Sequence, residues 1–384
     1  MNKNFDLFII GGGINGAGIA RDASGRGLTV CLADKGKIGN ATSSWSTKLI
    51  HGGLRYLENY DFKLVRESLK EREIIFQIAN NISKLTPFII PHSKKLRPIW
   101  LIKIGLFLYD HLGGKTVIPK SKTINIQEKY SHILKSNFIK GFQYYDVQID
   151  DKKLTQLNVA DAKKNGAFIL EDTKVTKVER NTKDWSIYLS DGRLIKSKIL
   201  INASGPWVNE VIKDIIKVSL KKTIRLVRGS HIITKKLYND EIAFTLQNDD
   251  KRIVFVLPYK EKFSLIGTTE VEVYSPNDLK INQTEIDYLI SSVNNYFKKQ
   301  IKISDIIETY AGIRPLIEDF KEASKVTRDY IFDLNIENNL PPLLNIYGGK
   351  LTTYRKLSEK VMQDLKIHLP PNTNKNWTSN KGLS

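Results

Sequence analysis

The chain has 384 residues, of which 41% are hydrophobic and 26% charged, a balance that supports a large packed core and excludes wholesale disorder. Its single cysteine, Cys31, excludes an intrachain disulfide and a dithiol redox centre and fits a reducing compartment. The net charge of +19 comes from scattered lysines without an aromatic-interleaved basic stripe, so nucleic acid is not expected as a partner, while an anionic membrane surface or substrate stays open.

At roughly 150 residues per domain, the length fits two domains, or one large α/β domain with an insertion. No secretory leader is expected, because the apolar residues near the start are few and run into glycines, as a strand does. No apolar run reaches the roughly 18 residues of a membrane-crossing helix.

The first predicted unit is a strand over residues 7–10, a turn Gly11-Gly12-Gly13-Ile14-Asn15-Gly16, a helix, a strand over 29–33 and then Asp34. This is the order of a dinucleotide-binding βαβ unit. Gly11 suits the tight turn, Gly13 the approach of a pyrophosphate, and Gly16 close packing of helix on sheet. The helix N-terminus offers N–H groups to phosphate. Asp34 can bind a ribose hydroxyl pair and repel a 2′-phosphate, which points to FAD or NAD rather than NADP.

A small polar loop over 39–44 follows, and residues 64–78 have helical spacing. Residues 99–109 form an apolar run after Lys94, Lys95 and Arg97; a buried helix is expected there, with an interfacial helix as the alternative. A hairpin is expected over 175–189 and a buried parallel strand over 199–207, whose C-terminal end would meet the cofactor. Residues 224–273 read as antiparallel strands and 288–297 as helix. Residues 312–315 and 347–355 then return to strand–glycine–helix punctuation.

The expected fold class is therefore α/β: a discontinuous Rossmann-like nucleotide domain with an inserted, mainly antiparallel β substrate domain. Residues 1–80, 145–215 and 305–370 are assigned to the first domain, 81–144 and 216–304 to the second, and 371–384 to a tail.

Several residues suggest chemistry of their own. Gly348-Gly349 before a helix start is a second anion-type cradle, and Thr352 and Thr353 can bond its free donors or a bound ring. Arg55 and Arg314 are planar five-donor forks suited to phosphate. His51 and His231, two of six histidines, can take a proton near neutral pH. A metal centre is not expected, since there is no Cys cluster and no His-Glu-x-x-His spacing; no nucleophile elbow is present either.

Taken together, Lys48-Leu49-Ile50-His51-Gly52-Gly53-Leu54-Arg55-Tyr56-Leu57, Gly229-Ser230-His231, Gly267-Thr268-Thr269, Gly312-Ile313-Arg314-Pro315, Thr327-Arg328-Asp329-Tyr330 and Gly348-Gly349-Lys350-Leu351-Thr352-Thr353-Tyr354-Arg355 carry a resemblance. The chain resembles the FAD-dependent glycerol-3-phosphate dehydrogenases of the D-amino-acid-oxidase-like flavoprotein superfamily. Members of that family carry a further C-terminal helical domain, whereas this chain ends at Ser384.

The resemblance implies oxidation of sn-glycerol 3-phosphate, FAD as cofactor, a membrane quinone as acceptor and a peripheral position on the cytoplasmic side of the inner membrane, or a cytoplasmic one. It assigns cofactor contacts to Gly11, Gly13, Ile14, Asn15, Gly16 and Asp34; to Thr42, Ser43, Ser44, Lys48, Leu49, His51 and Gly52; to Val175, Ala203 and Gly205; and to Gly312, Gly349, Lys350, Leu351 and Thr352. Arg55, Tyr56, Thr269 and Arg314 are the expected substrate contacts, His231 the leading base, and Lys350 an electrostatic clamp. An oxygen-using oxidase of the same superfamily and a non-catalytic flavin-binding remnant remain the alternative readings. The oligomeric state is not legible.

Overall fold

The computed structural model describes residues 4–93, 96–318, 329–371 and 377–383. Lys94, Lys95, Thr327 and Arg328 lie outside them.

The first strand, Asn4–Ile10, is buried at every residue but Asn4, as a strand covered on both faces should be. Leu7 and Ile9 pack into a core with Ala17, Ala20 and Leu357 from two helices. Phe8 and Ile10 face the other way, into a core with Trp185, Ile187 and Val208. Asn4–Ile10 lies parallel between Val30–Ala33 and Leu194–Asn202. Phe168–Leu170 and Leu343–Gly348 extend the parallel sheet outward, and Tyr330–Asn335 closes one edge antiparallel. The hairpin expected over 175–189 is present as Val175–Arg180 and Trp185–Leu189.

A second, ten-stranded sheet is mainly antiparallel. Its longest pairing joins Ile224–Lys235 to Ile306–Ile317 over eleven registered positions. Residues 224–235 thus form one continuous strand. Residues 312–315 lie within a strand and do not lead into a helix. Two stretches expected on the nucleotide side, 145–149 and 306–317, pair in this second sheet, through Lys140–Ile149 and Ile306–Ile317.

The apolar run over 99–109 forms the helix Ile99–His111, but only Ile102, Leu106 and Tyr109 are buried. That i, i+4, i+7 stripe is the width of one contact. Trp100, Ile104 and Phe107 point away from it and are 63%, 50% and 61% exposed, so the expectation of a buried helix does not hold.

Candidate active site

The C-terminal ends of the central parallel strands converge on one cavity of about 660 Å³, as ligand sites in such sheets do. Gly11 stands at the first strand end with φ +108°, a conformation that a side chain would strain. A Cβ there would also press on the Ala203 carbonyl, 2.7 Å away. Both residues line the cavity, joined by Gly13, Ile14, Asn15 and Asp34. Asp34 is held by two backbone donors, Gly12 N–H at 2.6 Å and Gly36 N–H at 2.8 Å. The Ile14 N–H at the start of helix Ile14–Gly25 donates to Ser43 Oγ, 2.9 Å. Thr42 Oγ1 donates to the Ile313 carbonyl, 2.9 Å, which ties this loop to the second sheet. Gly312 permits that approach: a Cβ would meet the Trp45 carbonyl at 2.8 Å. Val175 and Gly205 complete this end of the cavity.

The second cradle is also present. Gly348 and Gly349 have φ of +74° and +93°, and Gly349, Lys350, Leu351 and Thr352 line the cavity. The regular helix begins later than expected, at Tyr354, after a 3₁₀ turn over Leu351–Thr353. Thr352 does not cap that helix with its side chain. Its hydroxyl accepts from His51 N–H at 3.2 Å and donates to the His51 carbonyl at 3.3 Å. Asn15 Nδ2 donates to the Gly348 carbonyl, 3.3 Å, so the two glycine turns, hundreds of residues apart, meet.

At the opposite end stand the charged groups. Arg55 Nη1 lies 3.5 Å from Glu270 Oε1. Arg314 Nη2 donates to Thr268 Oγ1 at 2.9 Å and Nη1 to the Thr269 carbonyl at 3.4 Å. Lys350 Nζ sits 4.7 Å above the Tyr56 ring, and the His51 ring is tilted by 36° to that ring, 6.4 Å between centroids. All of these except Thr269 line the cavity, as does Leu49.

Six expected site residues lie outside the cavity wall. Gly16 is spent on packing, since a Cβ would collide with the Gly11 carbonyl. Ser44 bonds the Gly39 carbonyl. Lys48 pairs with Asp151 at 2.7 Å. Gly52 is wedged against Leu69 and Tyr109, and its N–H donates to Tyr109 Oη at 2.7 Å. Thr269 accepts from Ser230 N–H at 3.0 Å and donates to Glu285 at 2.7 Å, on the far side of the segment from Thr268.

His231 is buried one layer back, stacked on Tyr310 with ring centroids 4.6 Å apart. Its Nε2 is 2.9 Å from Thr47 Oγ1, and Thr47 lines the cavity. Burial first, then the Arg314 and Lys48 charges, hold its pKa well below the ordinary 6.5. Its Nδ1 is buried without a hydrogen-bond partner, which further disfavours a cation.

Sequence reasoning missed Thr47, Asp146, Thr268 and Glu270 in the wall. Thr268 and Glu270 had no sequence signal, since they lie in the link between strands Phe263–Gly267 and Val271–Val273, where strand alternation does not apply. Asp146 had no sequence signal: it is reached through Tyr109 Oη at 2.7 Å and Arg72 Nη1 at 2.7 Å, contacts between distant segments.

The sequence model described as FAD dependent oxidoreductase matches residues 6–354. The chain belongs to that family. It is 44% identical to the D-erythritol 1-phosphate dehydrogenase of Brucella abortus, over 98% of this chain and 76% of the relative. It is 45% identical to the glycerol-3-phosphate dehydrogenase of Pseudomonas aeruginosa, over 99% of this chain and 75% of the relative. Among solved structures, the glycerol-3-phosphate dehydrogenase of Bacillus halodurans in complex with FAD superposes with a TM-score of 0.75 at 26% identity, covering 97% of this chain and 66% of that one.

FAD is the cofactor of this family, and the cavity fits it. Two glycine cradles meet in its wall, a Cβ on Gly349 would meet Asn15 Nδ2 at 2.9 Å, and Asn15 Oδ1 is buried in the wall without a partner. Gly13, Ile14 and Asp34 would hold the dinucleotide half, and Gly349 to Thr352 the ring.

Proposed function

We propose that this protein oxidises sn-glycerol 3-phosphate to dihydroxyacetone phosphate and delivers the electrons to a membrane quinone. The observation that carries the reading is the convergence of Arg55, Arg314, Lys350 and His51 at one end of a cavity whose other end is a dinucleotide cradle. The names of the Pseudomonas and Bacillus relatives support the substrate.

Bound FAD supplies a hydride acceptor. Arg55 and Arg314 hold the phosphate by charge-assisted hydrogen bonds. Lys350 adds positive charge between the arginines and the ring cradle. His51, in the wall itself, takes the C2 hydroxyl proton; an imidazole is the side-chain base suited to neutral pH. This assignment replaces His231, whose Nε2 reaches the cavity only through the Thr47 hydroxyl and whose cation is penalised from three sides. His231 instead positions Thr47.

The membrane end of the proposal rests on the exposed face of helix Ile99–His111, where Trp100, Ile104 and Phe107 stand out. No helix among the described residues is long and apolar enough to cross a membrane. The apolar face and the net charge of +19 suit peripheral attachment to an anionic surface.

Anaerobic titration of the purified holoprotein with sn-glycerol 3-phosphate is expected to bleach the visible flavin band. No bleaching would overturn the proposal. D-Erythritol 1-phosphate belongs in the same titration, because the relative named for it is as similar as the glycerol-3-phosphate enzymes. Stoichiometric peroxide on admitting air, with no quinone reduction, would favour an oxidase.

A further inference from the structure

A carboxylate in the wall of a phosphate subsite needs a reason. Glu270 is such a group: its side chain is only 8% exposed, it faces the cavity, and it forms an ion pair with one of the two arginines assigned to the phosphate. Elsewhere in this chain, buried arginines are committed to their acids at short range. Arg21–Asp161, Arg72–Asp146 and Arg228–Glu285 each measure 2.7 Å, the length of a charge-assisted hydrogen bond. Arg55–Glu270 measures 3.5 Å. That is close enough for strong attraction in a largely dry wall and too long to fix the guanidinium in a fork-to-fork pair.

The segment that carries Glu270 also sets the other arginine. Thr268 Oγ1 and the Thr269 carbonyl accept from Arg314, while Glu270 faces Arg55. Three consecutive residues after strand Phe263–Gly267 thus address both forks, one with neutral acceptors and one with a full charge.

We propose that Glu270 sets the affinity of the phosphate subsite by competing with substrate phosphate for Arg55. Without a ligand, the carboxylate holds the guanidinium in the wall. An arriving dianion carries more charge than one carboxylate and takes Arg55 over. Because the ketone product keeps the same phosphate, the same competition loosens the product and speeds its release. The inference rests on the phosphate role given above to Arg55 and Arg314.

The test is titration of the holoprotein with inorganic phosphate, read from the shift of the flavin absorption bands. Glu270→Gln removes the competing charge and is expected to tighten phosphate about tenfold. It should lower the KM for sn-glycerol 3-phosphate and strengthen product inhibition in the same sense. Glu270→Asp, which keeps the charge, is expected to stay within about threefold of the parent. In an Arg55→Ala background the Glu270→Gln gain is expected to vanish, since the contested group is gone. Unchanged or weaker phosphate binding in Glu270→Gln would overturn the proposal, as would a gain that persists without Arg55, or no phosphate binding in any variant. The functional reading fails separately, if glycerol 3-phosphate does not bleach the flavin while phosphate still binds tighter to Glu270→Gln.

Discussion

Arg314 enters the cavity as a fork already oriented by Thr268 and the Thr269 carbonyl. Arg314→Ala removes a bidentate charge-assisted contact, so the KM for the phosphorylated substrate is expected to rise about a hundredfold, with flavin content little changed. Steady-state kinetics and the flavin spectrum check both. The two histidines make a second expectation. Stopped-flow flavin reduction should fall by about 10²–10⁴ in His51→Gln, as for loss of a general base, and less than about tenfold in His231→Gln. His231 also has a pH signature. Its folded pKa is depressed, so below the ordinary 6.5 the unfolded chain binds a proton that the native site refuses. Stability is therefore lost as pH falls through that value, by up to about 1.4 kcal/mol per pH unit, until the lower folded pKa is reached. Denaturant unfolding from pH 7 to 5 should show a steeper loss in the parent than in His231→Gln.

Helix Ile99–His111 is divided between two tasks. Its inner stripe ends in Tyr109, whose hydroxyl receives the Gly52 N–H at 2.7 Å and so fixes the loop that carries His51. Its outer face exposes Trp100, Ile104 and Phe107. Replacing Trp100 and Phe107 together with glutamate is expected to weaken binding to anionic vesicles at least about a hundredfold, since each aromatic contributes roughly 1.5–3 kcal/mol when buried. Flavin reduction by substrate should persist. Co-sedimentation that is unchanged by the substitutions would rule out this face as the attachment site. The sequence alone left the helix ambiguous because its apolar residues outnumber the positions that one contact stripe can cover.

Across the whole molecule, buried charge joins segments far apart in the chain. Arg355 Nη2 contacts Glu71 at 2.5 Å and Nε does so at 2.8 Å, linking helix Phe62–Ile78 to helix Tyr354–Asp364. Glu359 adds a second acid, and Thr378 accepts from Arg355 Nη1 at 3.1 Å. Burial raises the pKa of the Glu71 carboxyl, and the Arg355 guanidinium offsets only part of that rise. Arg355→Met alone would leave Glu71 buried without its counter-charge and is expected to cost about 3–5 kcal/mol in denaturant unfolding. Adding Glu71→Leu should recover much of that loss, because that buried carboxylate is then gone, while Glu359 keeps Lys356 as a partner. Partners 284 residues apart cannot be matched from sequence spacing.

What the sequence determined by itself was whatever short range encodes. The Gly11–Asp34 unit, the parallel strand expected over 199–207 and found as Leu194–Asn202, and the Gly348–Gly349 turn were legible because glycine and apolar runs act on their own backbone. Arg55, Arg314 and Lys350 were legible by residue type. Only the tertiary structure decided which face of each element meets the cavity. Thr268 rather than Thr269, and His51 rather than His231, stand in the wall because contacts between distant segments, such as Thr269 with Glu285 and His51 with Thr352, set which side chains face it. Glu270 gained its place beside Arg55 in the same way, where the link between two strands meets the turn Leu54–Asn59, a contact that no local pattern in either segment records.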